Sequence, residues 1–279
     1  MRICIIGIGL IGGSLAIDLR KRDFASYIIG VDNNSKHVDL ALKLGLVDEI
    51  LSINEAIKRS DLIILAVPAN HTINLLPIIM DQIKHQIICD VCSVKFEISK
   101  KIYSHTMRAN YVSTHPMAGT EFSGPSSAIS NLYDEKSVIF CDYKSSSDKA
   151  LKLVKRMYSV LNMNILYMNS ESHDMHAAYV SHISHISSFA LALTVLDIEK
   201  NEHNILNLAS GGFDSTVRLA KSSAKMWNPI FKQNSKNVLN VIENYINILN
   251  QFKVAIKSDN DEMLIEMINK ANTIKLFLK

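Results

Sequence analysis

Apolar and polar positions follow two different rhythms in the first part of the chain. Short apolar runs typical of strands cover residues 2–6, 27–31, 62–67, 87–91, 111–114, 138–141 and 165–167. Longer stretches repeat their apolar residues every three or four positions, as helices do, at 14–21, 35–44, 72–83 and 95–104. Strands that alternate with helices are typical of a parallel sheet with crossover helices, so the pattern predicts an α/β domain.

The pattern changes near Ser170, because almost every apolar position after it follows a helical period. Ser170 is a suitable N-cap for a helix. Glu171 and Asp174 follow in the first turn, where the helix dipole favours negative charge. We predict that this helix runs to about residue 197.

Two further helices are expected towards the end of the chain. Asn228-Pro229 is predicted to open one of them, because proline suits the first helical position. The last helix is predicted over 261–278. The change of pattern places a boundary near residue 168, with an α/β domain over 1–168 and an all-helical domain over 169–279.

The composition is that of a folded globular protein. Of the 279 residues, 48% are hydrophobic and 20% are charged, and the formal net charge is only +3. No basic stripe with interleaved aromatic residues is present, which argues against nucleic acid as a partner. The apolar run 3–17 resembles a signal peptide, but it carries a glycine spacing with its own mechanism and leads into the charged segment 18–22. We expect no membrane-spanning stretch and a cytoplasmic protein.

Cysteine and histidine spacings raise the question of redox or metal chemistry. Cys89 and Cys92 form a C-x-x-C pair, for which chance placement at a strand end is the alternative to a redox pair. No second pair of ligands stands at zinc spacing.

Four histidines lie on the helix predicted after Ser170, at positions 173, 176, 182 and 185. At about 100° per residue, the first pair and the second pair point to opposite sides of a regular helix, so we predict no metal site. His182 and His185 share a largely apolar side of this helix. Such a pair is either structural or, if it lies beside a cofactor, able to bind substrate.

A glycine-rich segment follows the first predicted strand and precedes a helix. Gly7, Gly9 and Gly12 form the G-x-G-x-x-G spacing, with Leu10 and Ile11 between the last two. The first glycine allows a tight turn, the second lets the backbone approach a pyrophosphate, and the third permits close packing of helix on strand. The helix N-terminus would stabilise the pyrophosphate.

The acidic residue that accompanies this spacing is also present. Asp32 ends the second predicted strand, about 20 positions further on, where a carboxylate accepts hydrogen bonds from both ribose hydroxyls of the adenosine. It would repel a 2′-phosphate, and no arginine follows to neutralise one, so we predict NAD rather than NADP. Val67 and Pro68, at the end of the strand 62–67, are also predicted to contact the cofactor.

Three other residues carry candidate chemistry, although each has an ordinary explanation when taken alone. His115 follows the strand 111–114 and would lie at the sheet edge beside the cofactor. Ser93 follows the preceding strand and could reach His115 if the two strands are neighbours. Arg218 has a planar guanidinium that suits a substrate carboxylate, but it would otherwise be a surface ion-pair residue.

Together these segments resemble the prephenate dehydrogenase family, which includes arogenate dehydrogenases. The similarity lies in His115-Pro-Met-Ala-Gly-Thr-Glu121 with Ser123-Gly124, in 173–185, and in 212–227, and it covers nearly the whole chain in the right order. It implies a Rossmann-like domain followed by an all-helical dimerisation domain, and hence a homodimer.

The resemblance also implies roles for individual residues. His115 would be the catalytic base, and Ser93 would orient it. The residues implied as substrate contacts are Thr120, His182, His185 and Arg218. The chain departs from the family pattern at Ser184, where the family usually has proline, and at Asp214-Ser215 and Ser223-Ala224. These departures concern fine substrate recognition and ion pairs across a dimer.

The implied reaction is the NAD-dependent oxidative decarboxylation of prephenate to 4-hydroxyphenylpyruvate on the route to tyrosine. Neutral His115 would accept the C4 hydroxyl proton as hydride leaves and the ring aromatises. The alternatives are arogenate as substrate, another reductase on a Rossmann-plus-helical architecture, and a non-catalytic NAD-binding sensor. The reductase would need a lysine or asparagine signature in place of His115, and the sensor would not need Ser93, His115 and Arg218 together.

Overall fold

A single eight-stranded sheet forms the centre of the computed structural model, which describes residues 1–202 and 204–277. Its strands are β1 (Arg2–Ile6), β2 (Tyr27–Val31), β3 (Glu49–Ile50), β4 (Leu62–Leu65), β5 (Ile87–Asp90), β6 (Tyr111–Pro116), β7 (Ser137–Cys141) and β8 (Asn164–Met168). Their order is β3-β2-β1-β4-β5-β6-β7-β8. All neighbours are parallel except β6 and β7.

Helices cover both faces of this sheet, as the alternating pattern predicted. They are α1 (Leu10–Lys21), α2 (Ser35–Lys43), α3 (Ile53–Arg59), α4 (Ala69–Met80), α5 (Phe96–Lys101) and α6 (Asp148–Val160). Strand β1 shows that both faces of the sheet are buried. Its residues alternate between two buried apolar clusters, with Ile3 and Ile5 in one and Cys4 and Ile6 in the other. The predicted α/β, Rossmann-like class is confirmed.

The chain after β8 is helical. Its elements are α7 (Ser170–Ala177), a π-helical turn (Ala178–His182), α8 (Ile183–Glu202), α9 (Gly211–Val217), α10 (Ala224–Gln233), α11 (Ser235–Lys257) and α12 (Asp261–Asn272). The chain divides into two compact units, Met1–Asn234 and Ser235–Lys279. This division follows contacts within one chain, and the boundary expected at 168/169 stays a prediction.

In the helical part of the chain after β8, two helix starts differ from the predicted ones. Asn169, not Ser170, is the N-cap of α7, since its side chain accepts a hydrogen bond from the Ser172 N–H at 2.7 Å. Helix α10 begins at Ala224, and Pro229 lies inside it. This helix buries Trp227, 6% exposed, although a proline inside a helix removes one backbone hydrogen bond. Position 278, the predicted end of the last helix, lies outside the described residues.

Among the described residues, one helical segment, Ser170–Lys200, is long and apolar enough to cross a membrane by length and composition alone, and the expectation of no such stretch was wrong. Its first turns nevertheless bury three polar side chains, those of His173, Asp174 and His182. Ionisable side chains are rare in membrane-spanning segments because their burial in lipid is expensive. The segment therefore fits better in a packed helical assembly than in a bilayer.

Candidate active site

The predicted cofactor and catalytic residues meet at one edge of the sheet. Strands β1, β2, β4, β5 and β6 run parallel, so their carboxyl ends share that edge. The glycine loop follows β1, and Asp32 follows β2. Val67 and Pro68 come after β4, and Ser93 comes after β5. His115 is the second-last residue of β6. Ligands of open α/β sheets bind at this carboxyl edge, so the topology supports all of these placements.

The glycine loop has the shape that a dinucleotide requires. Gly7 has φ +96°, and a Cβ there would lie 2.5 Å from the Ala66 carbonyl oxygen. A Cβ on Gly12 would lie 2.1 Å from the Gly7 oxygen, so the loop and α1 touch at van der Waals distance. Gly9 has no atom within 4 Å of its Cβ position, which leaves open space in front of its backbone. The geometry at each glycine agrees with the one expected from the spacing, and contact with a cofactor stays a prediction.

The N-terminus of α1 opens onto the same space. Helix α1 begins at Leu10, and Gly9 at its N-cap has no side chain to occupy the first N–H groups. The first N–H groups of a helix, here those of Leu10, Ile11 and Gly12, have no partner within the helix. They fit a pyrophosphate, which the dipole also favours.

Asp32 is held at the end of β2 beside this loop. Its Oδ2 accepts a hydrogen bond from the Ile8 N–H at 3.0 Å, and its Oδ1 accepts one from the Asn34 N–H at 2.9 Å. The side chain is only 9% exposed, and His37 Nδ1 lies 3.7 Å from Oδ2. The carboxylate is therefore fixed in position next to the glycine loop.

His115 is buried, 8% exposed, and another histidine holds its ring. Its Nδ1 lies 2.8 Å from Nε2 of His173, and Nδ1 of His173 lies 2.8 Å from Oδ1 of Asp174. The pKa of His115 lies well below the ordinary value, chiefly because burial disfavours the charged form, with further lowering from His173, Lys95 and His182. A neutral His115 can accept a proton.

Asp174, the last of these three hydrogen-bonded side chains, is held in place by backbone N–H groups. Its Oδ1 also accepts a hydrogen bond from the Lys95 N–H at 2.8 Å, and its Oδ2 accepts one from the Phe96 N–H at 2.9 Å. Its own carbonyl accepts a bond from the Asn234 amide at 2.7 Å. These hydrogen bonds join the start of α5 to α7, the helix whose His173 contacts His115.

A buried ion pair supports the same region from the sheet. Lys95 is fully buried, with its Nζ 2.5 Å from Asp90 Oδ2, and it also donates to the Thr114 carbonyl. Burial alone would lower the pKa of Lys95, but the neighbouring Asp90 outweighs that effect and raises it. Tyr111 donates its hydroxyl proton to Asp90 at 2.7 Å. This network joins the carboxyl end of β5 to β6, the strand that carries His115.

The residue that contacts His115 is therefore not the one the resemblance implied. Ser93 is half-buried at the same edge, but no hydrogen bond joins it to His115 among the residues described. His173 takes that place, although its sequence distance of 58 residues gave no local signal. A role for Ser93 stays a prediction.

Arg218 faces the segment that follows His115. Its Nη1 lies 3.3 Å from Oε2 of Glu121, and its side chain is 52% exposed. Thr120, next to Glu121, accepts a hydrogen bond from the Phe122 N–H at 3.3 Å. The structure thus brings Thr120 and Arg218 to the same loop, with a guanidinium that remains accessible to an anion.

His182 and His185 differ in their surroundings. His182 is 1% exposed, with Nδ1 3.2 Å from the Asn234 amide, and burial lowers its pKa to about 4. His185 is half-buried and stacks on Trp227, with ring centroids 3.7 Å apart. Its Nδ1 donates to the Ser181 carbonyl at 3.0 Å, which leaves Nε2 as an acceptor. His182 suits a structural role, and His185 suits a substrate contact.

Redox and metal chemistry find no support in the described part of the chain. Both members of the C-x-x-C pair are free and buried, and burial raises the pKa of Cys92 to about 12. A buried thiol of this kind is unreactive. No group of three or more His, Cys, Asp or Glu residues could hold a metal ion within the described residues.

These features define a class of protein. A dinucleotide loop and a buried neutral histidine lie at one sheet edge, and an accessible arginine faces the loop after that histidine. These are features of a dinucleotide-dependent dehydrogenase. The family follows from the sequence as a whole. Residues 15–167 match the prephenate dehydrogenase nucleotide-binding domain, and residues 169–270 match the prephenate dehydrogenase dimerization domain. The chain belongs to the prephenate dehydrogenase family.

Individual relatives agree with this assignment over nearly their full lengths. A cyclohexadienyl dehydrogenase from Zymomonas mobilis is 29% identical over 99% of this chain and 96% of its own. The crystal structure of Aquifex aeolicus prephenate dehydrogenase with hydroxyphenyl propionate and NAD+ has a TM-score of 0.91 and 30% identity, covering 100% and 98% of the two chains. Synechocystis arogenate dehydrogenase has a TM-score of 0.77 and 25% identity, covering 99% of each chain.

Proposed function

We propose that this protein is an NAD-dependent prephenate dehydrogenase, which converts prephenate to 4-hydroxyphenylpyruvate and CO2. The observation that carries the proposal is the buried, neutral His115 at the sheet edge where the glycine loop and Asp32 also lie. The relatives named above include prephenate, arogenate and cyclohexadienyl dehydrogenases, so arogenate is the second candidate substrate.

The residues present fit NAD. The glycine loop and the first N–H groups of α1 would hold the pyrophosphate, Asp32 would accept from the ribose hydroxyls, and Val67 and Pro68 would line the cofactor beyond them. Asp32 would repel a 2′-phosphate, which is why NAD is proposed over NADP. When bound, NAD supplies the acceptor for the hydride that leaves the substrate ring.

His115 acts as the base in this proposal. The Nε2 atom accepts the proton of the substrate's C4 hydroxyl, and the electrons of that O–H bond form the carbonyl that becomes the phenol on aromatisation. The ring carboxylate leaves as CO2. Because aromatisation drives the reaction, the protein mainly positions the ring and removes this proton.

The substrate carboxylates are assigned to the exposed side of the site. Arg218 offers a guanidinium that is half accessible, and His185 offers an Nε2 that the protein leaves unpaired among its described contacts. Thr120 lies beside Glu121, the partner of Arg218. We assign these three side chains to substrate binding, with His182 and Trp227 packed behind His185.

A homodimer formed through the helical domain 169–279 is part of the proposal. Residues 169–270 match a dimerization domain. Large apolar side chains on α8 are exposed in the single chain, including Leu193, Leu196 and Ile198. Such a surface is typical of one that a second copy covers in a dimer. A soluble biosynthetic enzyme of the cytoplasm is consistent with this assembly.

Substrate choice separates the candidates. Initial rates of NADH formation, followed by absorbance, should give a measurable kcat/KM with prephenate and a lower one with arogenate. A higher kcat/KM with arogenate would assign the second substrate. No NADH with either acid, from protein that still binds NAD, would leave the NAD-binding sensor as the better account.

A further inference from the structure

Three side chains form a row that ends at the proposed base, and every link in it has hydrogen-bond length. Asp174 Oδ1, the two ring nitrogens of His173 and Nδ1 of His115 are joined by two contacts of 2.8 Å each. The rings of His115 and His173 meet edge-on, with centroids 5.0 Å apart and planes at 70°. All three side chains are buried, so water does not compete for these contacts.

The protons in this row can be assigned from the fixed end. An ionised carboxylate only accepts, and Asp174 already accepts from two backbone N–H groups. His173 must therefore donate from Nδ1 to Asp174, which leaves its Nε2 atom as the acceptor in the contact with His115. His115 must then donate from Nδ1. Its remaining nitrogen, Nε2, carries no proton.

From this geometry we infer that His173 and Asp174 are positioning residues that fix His115 in the tautomer whose Nε2 is free to act as the base. The inference rests on the proposed function for its catalytic meaning, but the tautomer itself does not. It also explains how the imidazolium is stabilised after proton transfer. Nδ1–H stays bonded to His173, whose partner is the Asp174 carboxylate, while the transferred proton resides on Nε2.

Two substitutions at one position separate the donor–acceptor role from packing. His173→Gln places an amide where Nε2 stood, and its carbonyl can accept from His115 Nδ1. His173→Leu fills the space but accepts nothing. We expect His173→Gln to keep kcat within about tenfold of wild type and His173→Leu to lower it by roughly 10²–10³-fold. The substrate KM and the NAD Kd should stay within about threefold in both, because neither ligand touches His173 in this assignment.

His176→Gln is the matched control, since it is an exposed histidine on the same helix and lies outside the row. Its kcat should equal that of wild type. Equal losses of kcat in His173→Gln and His173→Leu would overturn the inference, because they would mean that only packing matters. Melting temperatures of all three variants identify any that fail to fold.

A spectroscopic measurement tests the tautomer without any turnover. Nitrogen NMR of ¹⁵N-histidine-labelled protein saturated with NAD, with His115 assigned by difference from His115→Asn, should show Nδ1 protonated and Nε2 bare at neutral pH. His173→Leu should shift His115 towards a mixture of the two tautomers. A wild-type His115 protonated on Nε2 would overturn the inference. If the NMR result holds but neither acid is turned over, the proposed function fails and the tautomer assignment stands.

Discussion

The proposed site has a cofactor half and a catalytic half, and the two are built in different ways. The cofactor half is backbone: the Gly7–Gly12 loop, the helix N-terminus behind it, and one carboxylate from the next strand. The catalytic half is a set of buried side chains, in which His115 from β6 meets His173 from α7, 58 residues later. Backbone sites can be identified from spacing in the sequence. Side-chain sites depend on how distant elements pack.

This contrast gives the two halves different sensitivities. A substitution in the catalytic half should change turnover while cofactor binding survives, because the backbone cradle does not depend on it. A substitution in the cofactor half should change which dinucleotide binds and leave the proton chemistry in place. Each variant below tests that separation, from the largest expected effect to the smallest.

The largest effect is expected for His115→Asn, which keeps a hydrogen-bonding side chain of similar size but removes the base. The kcat should fall by roughly 10²–10⁴-fold. The NAD Kd, measured by calorimetry, should stay within about threefold of wild type. A kcat near that of wild type would remove His115 from the mechanism, and a lost NAD affinity would show that the two halves are not separable.

The next effect concerns the choice of cofactor. A desolvated carboxylate that faces a 2′-phosphate costs on the order of 2–3 kcal/mol, so wild type should prefer NAD over NADP by roughly 10²-fold in kcat/KM. Asp32→Ser should reduce this preference by about tenfold or more, mainly through a lower KM for NADP. Equal use of the two cofactors by wild type would contradict the assignment of Asp32.

Arg218→Gln should have a smaller effect, confined to the substrate. The guanidinium is half exposed and already paired with Glu121, so solvent and that partner weaken its attraction for a carboxylate. We expect the substrate KM to rise roughly 5- to 10-fold. The kcat should stay nearly level if Arg218 holds the carboxylate that the product retains. A KM and kcat/KM within about threefold of wild type would remove Arg218 from the site.

The smallest effect is a difference in pH dependence. An ordinary histidine would make kcat/KM fall below about pH 6.5. Because the pKa of buried His115 lies well below that value, the neutral base should persist at lower pH. At pH 6 the enzyme should therefore retain more than about half of the kcat/KM that it has at pH 7.5, measured where both substrate and protein are stable. A profile centred at 6.5 or above would contradict the buried, neutral state.

Burial of His182 makes a related prediction about stability. Its folded pKa of about 4 lies below the unfolded value, so the unfolded chain binds the proton first as the pH falls. Stability should be complete above about pH 6.5 and decline between pH 6.5 and 4, by about 1 kcal/mol at pH 5.5 from this group. Urea unfolding at pH 5.5 and 7.5 measures the difference, and the same comparison with His182→Gln should show less of it.

The sequence predicted the sheet better than it predicted the helices that pack on it. Strands β1 and β2 have the predicted limits, since each is a short apolar run bounded by turn residues. The two-residue strand β3 was missed, because a pairing of that length leaves no pattern. The start of α10 was misplaced because Pro229 is tolerated inside it. Tertiary packing overrides local preference in that case.

The catalytic half contains contacts that residue spacing in the sequence could not predict. His115 was identified from its place after a strand and from the family resemblance, but its actual partner was not. The π-helical turn Ala178–His182 changes the phase of the helix, so angles computed for a regular helix do not describe the four histidines. Only the packed structure brings Asp174 onto two backbone N–H groups and His173 onto His115.

The most direct test of the account is the stoichiometry of a single reaction. Prephenate labelled in its ring carboxylate is incubated with the protein and NAD, and both NADH and labelled CO2 are counted. The account predicts equal amounts of the two, and the loss of both together in His115→Asn. Labelled CO2 released without NADH, or NADH formed without CO2, would contradict an oxidative decarboxylation that depends on His115.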